Sequence, residues 1–377
     1  MLRVLFPLIT FASLFPISVY AQAEVVPDIV HIERARVVEM TNQHDVIVPS
    51  TDTPSKAQTI KAEVLDGPDK GQVVTFDNDY TQLNQGDTFF IRHQIDGISG
   101  IEYWTVSDPY RLNLLVGLAV VFLLLLFFFG GIQGVRGLAS LLGSLVLIFY
   151  MLLPGILSGY SPILVSIGVS SLIIIVGSYI THGFNRTTTA AVLGMIVTVT
   201  ITGLAAFYVI NTGHFSGYSS EEAVYLNFNT KGSINLVGLL FGGIMIGLLG
   251  VLYDIAISQA ISVEELFRAG KHMTRFEIYK RAIRIGREHI GALVNTLAIA
   301  YVGVALPLLL LLKQTYSSNA SIASIINSEL FATEIVRILI GSIGLILAVP
   351  ITTFIASYVL EKQRGKTEES TGHSHSH

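Results

Sequence analysis

A chain of 377 residues that is 51% hydrophobic and only 13% charged, with a mean hydropathy of +0.62, is far more apolar than a water-soluble protein of that length. Its 23 basic and 27 acidic residues nearly balance, giving a net charge of −4 and no electrostatic case for nucleic acid as a partner. The lack of cysteine excludes disulfides, thiolate metal sites and cysteine nucleophiles.

Residues 1–23 have the layout of a secretory signal. Arg3 gives a positive start, Val4 to Val19 a mostly apolar core, and Ala21, Gln22, Ala23 the small-x-small cleavage pattern. Whether it is cleaved or kept as an anchor, such a segment sends the following chain across the membrane. Residues 24–110 switch to a soluble composition with short β-branched and aromatic runs at Ile32–Glu39, Gln58–Leu65, Gly71–Phe76, Thr88–His93 and Ile101–Val106. Turn-forming clusters separate them, at Asp66, Gly67, Pro68, Asp69 and at Asn84, Gln85, Gly86, Asp87. The pattern predicts a small extracytoplasmic β-barrel of about five strands, OB- or SH3-like. No stripe of aromatic and basic residues marks a nucleic-acid face, so the expected role is structural or the docking of an extracytoplasmic protein partner.

From Leu112 the chain carries about seven apolar stretches close to the ~20 residues that cross a bilayer: 112–132, 137–157, 161–181, 188–210, 235–258, 290–312 and 335–358. Runs this long and continuous in lipid are helices, so residues 111–358 are expected to form a polytopic α-helical bundle. With the β-domain outside, Arg136, Arg186, the seven basic residues from Arg268 to Arg287, and Lys362, Arg364 and Lys366 all fall on the cytoplasmic side. That satisfies the positive-inside rule with a cytoplasmic C-terminus. The segment 260–289 reads as an amphipathic cytoplasmic loop lying on anionic headgroups, and 359–377 as a disordered tail whose His373, His375 and His377 bind metal only adventitiously. Gly243 and Gly247 form a GxxxG spacing that Gly250 extends, and Pro154, Pro307 and Pro350 fall within or near the ends of spans.

Polar groups at membrane depth raise the functional question. Asp254 sits near the end of the fifth span; Ser258, four residues on, shares its helical face, with Gln259 beside it. On the next helix Arg287 and Asn295 are two turns apart and share a face, with Thr296 adjoining. Two readings are open. Asp254 is either an ion or proton site that loses charge when occupied, flanked by Ser258, Gln259, Asn295 and Thr296, or a structural partner for Arg287 at the helix ends. A second cluster, THGFNRTTTAAVLG, offers His182 as a group titrating near neutrality and Asn185 or Thr187 as a helix cap. No Ser/His/Asp set, HExxH, paired-Asp motif or phosphate loop is present. No catalytic residue, cofactor or metal site is therefore expected, and the chain is not expected to be an enzyme.

The stretches THGFNRTTTAAVLG, GVLYDIAISQAISVEEL and GREHIGALVNTLAIAYVGVALP resemble the signature blocks of the YibE/F-like family of bacterial multi-pass membrane proteins. The resemblance implies a bacterial inner-membrane location and a suspected permease moving a small solute or ion. It places the family's acidic position of the fifth span on Asp254 and its Asn–Thr pair on Asn295 and Thr296; Tyr253 stands where some members carry a second acidic residue. The competing expectation is a non-transporting membrane scaffold or accessory factor whose β-domain docks a partner.

Overall fold

A computed structural model describes residues 27–48, 53–270, 272–316 and 321–372; the signal expected over 1–23 and the terminal histidines lie outside the described residues. The chain divides into two compact units, the first ending at Leu124.

The first unit holds one antiparallel sheet of β1 (Ile29–Val48), β2 (Thr53–Val64), β3 (Val73–Asn78), β4 (Thr88–Ile95) and β5 (Glu102–Pro109), in the order β3-β2-β1-β4-β5. The edges β3 and β5 approach each other without pairing, so the sheet curls into a half-barrel. Alternation sets its inside: Phe89, Ile91 and His93 of β4 and Glu33, Ala35 and Val37 of β1 point inward. Ala35, Val37, Ile60, Ala62, Val64, Phe89 and Ile91 form its core. The β2–β3 turn is fastened down by charge. Arg34 gives its backbone N–H and Nε to the two Asp66 oxygens at 2.7 and 2.6 Å, and His93 Nδ1 lies 2.7 Å from Asp69.

Beyond the sheet the described structure is helical: α1 (Leu112–Leu157), α2 (Pro162–His182), α3 (Arg186–Thr212), α4 (Glu221–Asn229), α5 (Leu236–Ala269), α6 (Arg275–Val304), α7 (Leu306–Tyr316), α8 (Ile322–Ile326) and α9 (Glu329–Gly372). Five of these are long and apolar enough to cross a membrane, or up to six if the bent pair α6–α7 counts as one span, where about seven were expected. The first two expected spans run on as one 46-residue helical stretch, α1, and the break between them falls at Gly131, beside the boundary expected at 132–137. A straight helix of that length would run about 70 Å, more than twice the hydrocarbon thickness. It is broken instead at Gly131, whose φ of 53° and ψ of −145° suit only glycine. The break sets position 134 against the Leu126 carbonyl, 2.7 Å from where a Cβ would lie, whereas eight residues of straight helix would separate them by about 12 Å. Further on, a π-helical turn at Ile148–Leu152 absorbs the missing N–H of Pro154. No residue of Leu112–Leu147 is buried. So continuous a row of exposed Leu and Phe is tenable only in lipid or against another chain.

Two more expectations need correcting. The segment 260–289 is not a surface loop: α5 continues to Ala269 and α6 begins at Arg275, started by a reciprocal cap between Thr274 and Glu277. Val263, Ile278 and Ala282, within the segment expected to lie on headgroups, are fully buried between helices. The tail expected from 359 is helical through Gly372. The α6–α7 pair bends by 66° just ahead of Pro307.

The centre of the bundle is α3, α5 and α9, with α2 and α6 packed at its flanks. Small residues set the spacing. A Cβ added at Gly194 of α3 would lie 2.5 Å from Thr352 of α9, and one at Gly344 of α9 would lie 3.0 Å from Thr202 of α3. Such reciprocal small-on-small contacts let backbones approach where lipid offers no hydrophobic drive for association.

Candidate functional site

At one end of the bundle the α2–α3 turn meets the last turns of α5. Gly183, with φ 75°, ends α2 directly after His182 and swings the chain round. Asn185, not Thr187, then caps α3: its Oδ1 accepts the Thr188 N–H at 2.7 Å while its Nδ2 donates to the His182 carbonyl at 3.0 Å. Thr187 points its hydroxyl across to α5 and donates to Glu264 Oε2 at 2.6 Å. Arg268, one turn on, holds the other Glu264 oxygen and reaches Glu265 at 3.3 Å. A carboxylate so close to the first turn of a long helix is favoured by the free N–H groups there.

These side chains line a cleft of about 400 Å³ that also takes in Arg186, Ile257 and Ile261. It is mostly polar, with one carboxylate, two guanidiniums, an imidazole and hydroxyl and amide groups. Such a set suits a small polar or ionic solute better than an apolar one.

Above the cleft lies Tyr253 of α5, half-buried, its hydroxyl donating to the Gly177 carbonyl at 3.1 Å and its ring 6.0 Å from that of His182. Thr181 donates to the same carbonyl at 2.9 Å, and Gln133 of α1 donates to the Thr181 carbonyl at 3.2 Å. Further along α2, Ser166 and Ser170 are fully buried, and neither hydroxyl has a hydrogen-bond partner among the described residues; Thr202 and Thr352 are in the same state. Helical serines ordinarily donate to the carbonyl a turn earlier, as Ser171 does at 2.8 Å, so unpartnered ones in a dry interior are notable.

The structure therefore brings His182, Asn185 and Thr187 together, and leaves the other candidates dispersed. Asp254 and Ser258 do share a face of α5, but it is an exposed one. No ion pair joins Asp254 to Arg287 among the described residues. Asn295 and Thr296 are exposed on α6, where Thr296 donates within its own helix to Ala292 at 2.9 Å. Gln259 is buried and ties three helices, its Nε2 donating to the α6 carbonyl of Ala282 at 2.7 Å and to Thr353 of α9 at 2.8 Å. Glu264 and Tyr253 were missed as site residues. Ile257, Ile261 and Glu264 recur at i, i+4 and i+7, a signal that required α5 to continue past Ala260. No group of three or more His, Asp or Glu side chains that could hold a metal ion occurs among the described residues.

A second charged group lies in the first turns of α9. Glu334 and Arg337 pair at 3.4 Å, both partly buried, with Arg337 5.8 Å from the ring of Tyr301 of α6.

Long apolar helices with outward leucine and phenylalanine, packed through small residues and carrying polar groups inside, are what a polytopic helical membrane protein is built from. Residues 118–362 match the family model described as YibE/F-like protein, which spans the bundle, and the chain belongs to that family. Comparison with curated proteins and comparison with solved structures each found no match.

Proposed function

We propose that the protein is a membrane permease for a small polar solute or ion, with the cleft of His182, Asn185, Thr187 and Glu264 as its mouth. The observation carrying this reading is the pair of buried, unpartnered hydroxyls of Ser166 and Ser170, on the face of α2 leading away from that cleft. Buried hydroxyls without partners are costly in a packed bundle and useful where a polar species passes. Glu264 rather than Asp254 is the carboxylate that would meet a coupling ion, since Asp254 lies on the exposed face of α5. Arg186 and Arg268 at the cleft, together with the cations that begin α6, support an orientation with this end in the cytoplasm of a bacterial inner membrane and the N-terminal domain extracytoplasmic.

The test is solute and proton flux in liposomes at two pH values. Glu264→Gln and Thr187→Val are expected to lower flux by about tenfold or more, the loss of one charge-assisted hydrogen bond in the path, while Asp254→Asn retains it. Parental flux in Glu264→Gln with loss in Asp254→Asn would return the coupling role to Asp254. Absence of any flux for the parent would remove the permease reading.

A second reading, a scaffold whose β-domain docks a protein, is favoured by exposed Ile29, Ile98, Ile101 and Tyr103 at one end of the sheet, with Ile98 86% exposed. A photo-crosslinking side chain at position 98 that captures one discrete protein, in a chain without flux, would select it.

A further inference from the structure

We infer that the groove between the first half of α6 and the middle of α9 is a binding site for an anionic phospholipid, taken up by its glycerophosphate headgroup. The groove, of about 580 Å³, has Lys280, Arg284 and Arg287 on one wall and Ile346, Val349 and Pro350 on the other. The three cations stand at i, i+4 and i+7, so one face of α6 presents them together. None has a carboxylate partner among the described residues, although Glu288 adjoins Arg287 in sequence. Arg275 and Arg268, by contrast, are paired, Arg275 with Glu361 at 2.7 Å and Arg268 with Glu264. Three uncompensated positive charges over an apolar wall describe the complement of an amphiphile with a negative head.

The wall supplies more than area. Pro350 has no N–H to give the Ile346 carbonyl four residues earlier, so this stretch of the wall has one helical hydrogen bond fewer. Phe276 lies at the outer end, under the Lys280 ammonium at 4.4 Å from its ring centre. A free phosphate would have no use for Ile346, Val349 and Ile290, whereas an acyl chain would lie along them; a zwitterionic head would leave the triple charge unmatched. The site is separate from the cleft at Glu264, and its test does not depend on transport.

The experiment is native mass spectrometry of the full-length protein, delipidated in detergent and titrated with phosphatidylglycerol, phosphatidylcholine or inorganic phosphate. Phosphatidylglycerol is expected to bind and phosphatidylcholine not to. Each cation removed should weaken binding about fivefold, so that Lys280→Gln, Arg284→Gln and Arg287→Gln together cost about a hundredfold. Arg281→Gln, a charge beside the groove and not in it, should change binding less than twofold. Ile346→Trp keeps every charge and fills the groove, so it should weaken binding as well. Equal binding of phosphatidylcholine, displacement by phosphate alone, or parental affinity in the triple variant or in Ile346→Trp would overturn the assignment.

Discussion

Replacing Gly194 by alanine tests how closely α3 and α9 are packed. The added methyl would lie 2.5 Å from Thr352 Oγ1, 2.9 Å from its Cα and 3.0 Å from its Cβ, where comfortable carbon contacts begin at about 3.5 Å. Because the Cα belongs to the backbone, rotating Thr352 cannot relieve the conflict, and the helices must part by about half an ångström or more. A gap of that size forfeits roughly a quarter to a half of each dispersion contact along the seam, which places the variant in the upper part of the usual overpacking cost of about 1–3 kcal/mol. Gly344→Ala is the internal comparison. Its methyl meets Leu248 Cδ1 at 2.7 Å and Thr202 Oγ1 and Cγ2 at 3.0 and 3.1 Å, side-chain ends and not backbone, so its cost should stay at about 1 kcal/mol. Detergent-micelle unfolding with SDS, followed by far-ultraviolet circular dichroism, measures both. Thr352→Gly placed in the Gly194→Ala background should recover part of the loss and no more, since it removes the contacts to Oγ1 and Cβ but leaves that to Cα. A Gly194→Ala protein as stable as its parent, or no less stable than Gly344→Ala, would refute the reasoning.

The Asp66 carboxyl is held below the ordinary carboxylate range, first by the Arg34 backbone N–H and then by its side chain. A group depressed in the fold contributes stability above its unfolded pKa of about 3.9 and loses that contribution as pH falls through the lower folded value. Unfolding of the β-domain, followed by the fluorescence of Trp104, the single tryptophan of the chain, should therefore weaken below about pH 4, and Asp66→Asn should flatten that limb; an unchanged limb in the variant would contradict it. At the opposite end of the bundle from the cleft, the Glu329 carboxylate accepts the Ser216 and Gly217 N–H groups at 2.9 and 2.7 Å and the Ser216 hydroxyl at 2.6 Å. Glu329→Ala should cost about 1–3 kcal/mol and open the α3–α4 connection to limited proteolysis near Ser216, and parental resistance would show that the carboxylate does not hold it.

Much of this was legible from residues alone where the information is local. The β4 alternation and the turn cluster after Val64 gave the strands, although β1 runs well past Glu39 because Asn42, Gln43, His44 and Asp45 carry no apolar alternation to announce it. His182, Asn185 and Thr187 came together because one tight turn contains them. Asp254 and Ser258 were rightly placed on one face, but α5 is apolar nearly all round, so nothing in its periodicity said which face turns outward. Glu264, Glu265 and Arg268 fall within the segment 260–289 that reads as a cytoplasmic loop. They lie on a helix whose inner face continues through Val263, and only the packing of that face against its neighbours reveals it. Likewise three glycines at 130, 131 and 134 say that a helix is weak there, not that the chain turns sharply at Gly131.

Gln259 has a mechanical consequence. Its amide grips an α6 carbonyl and an α9 hydroxyl at the same depth, while Gly286 leaves just enough room for it beside Val349. Three helices thus share one fastening at a single level of the bundle. They can pivot about that point, but none can slide past another without breaking it, so any rearrangement at this end must be a tilt and not a piston stroke.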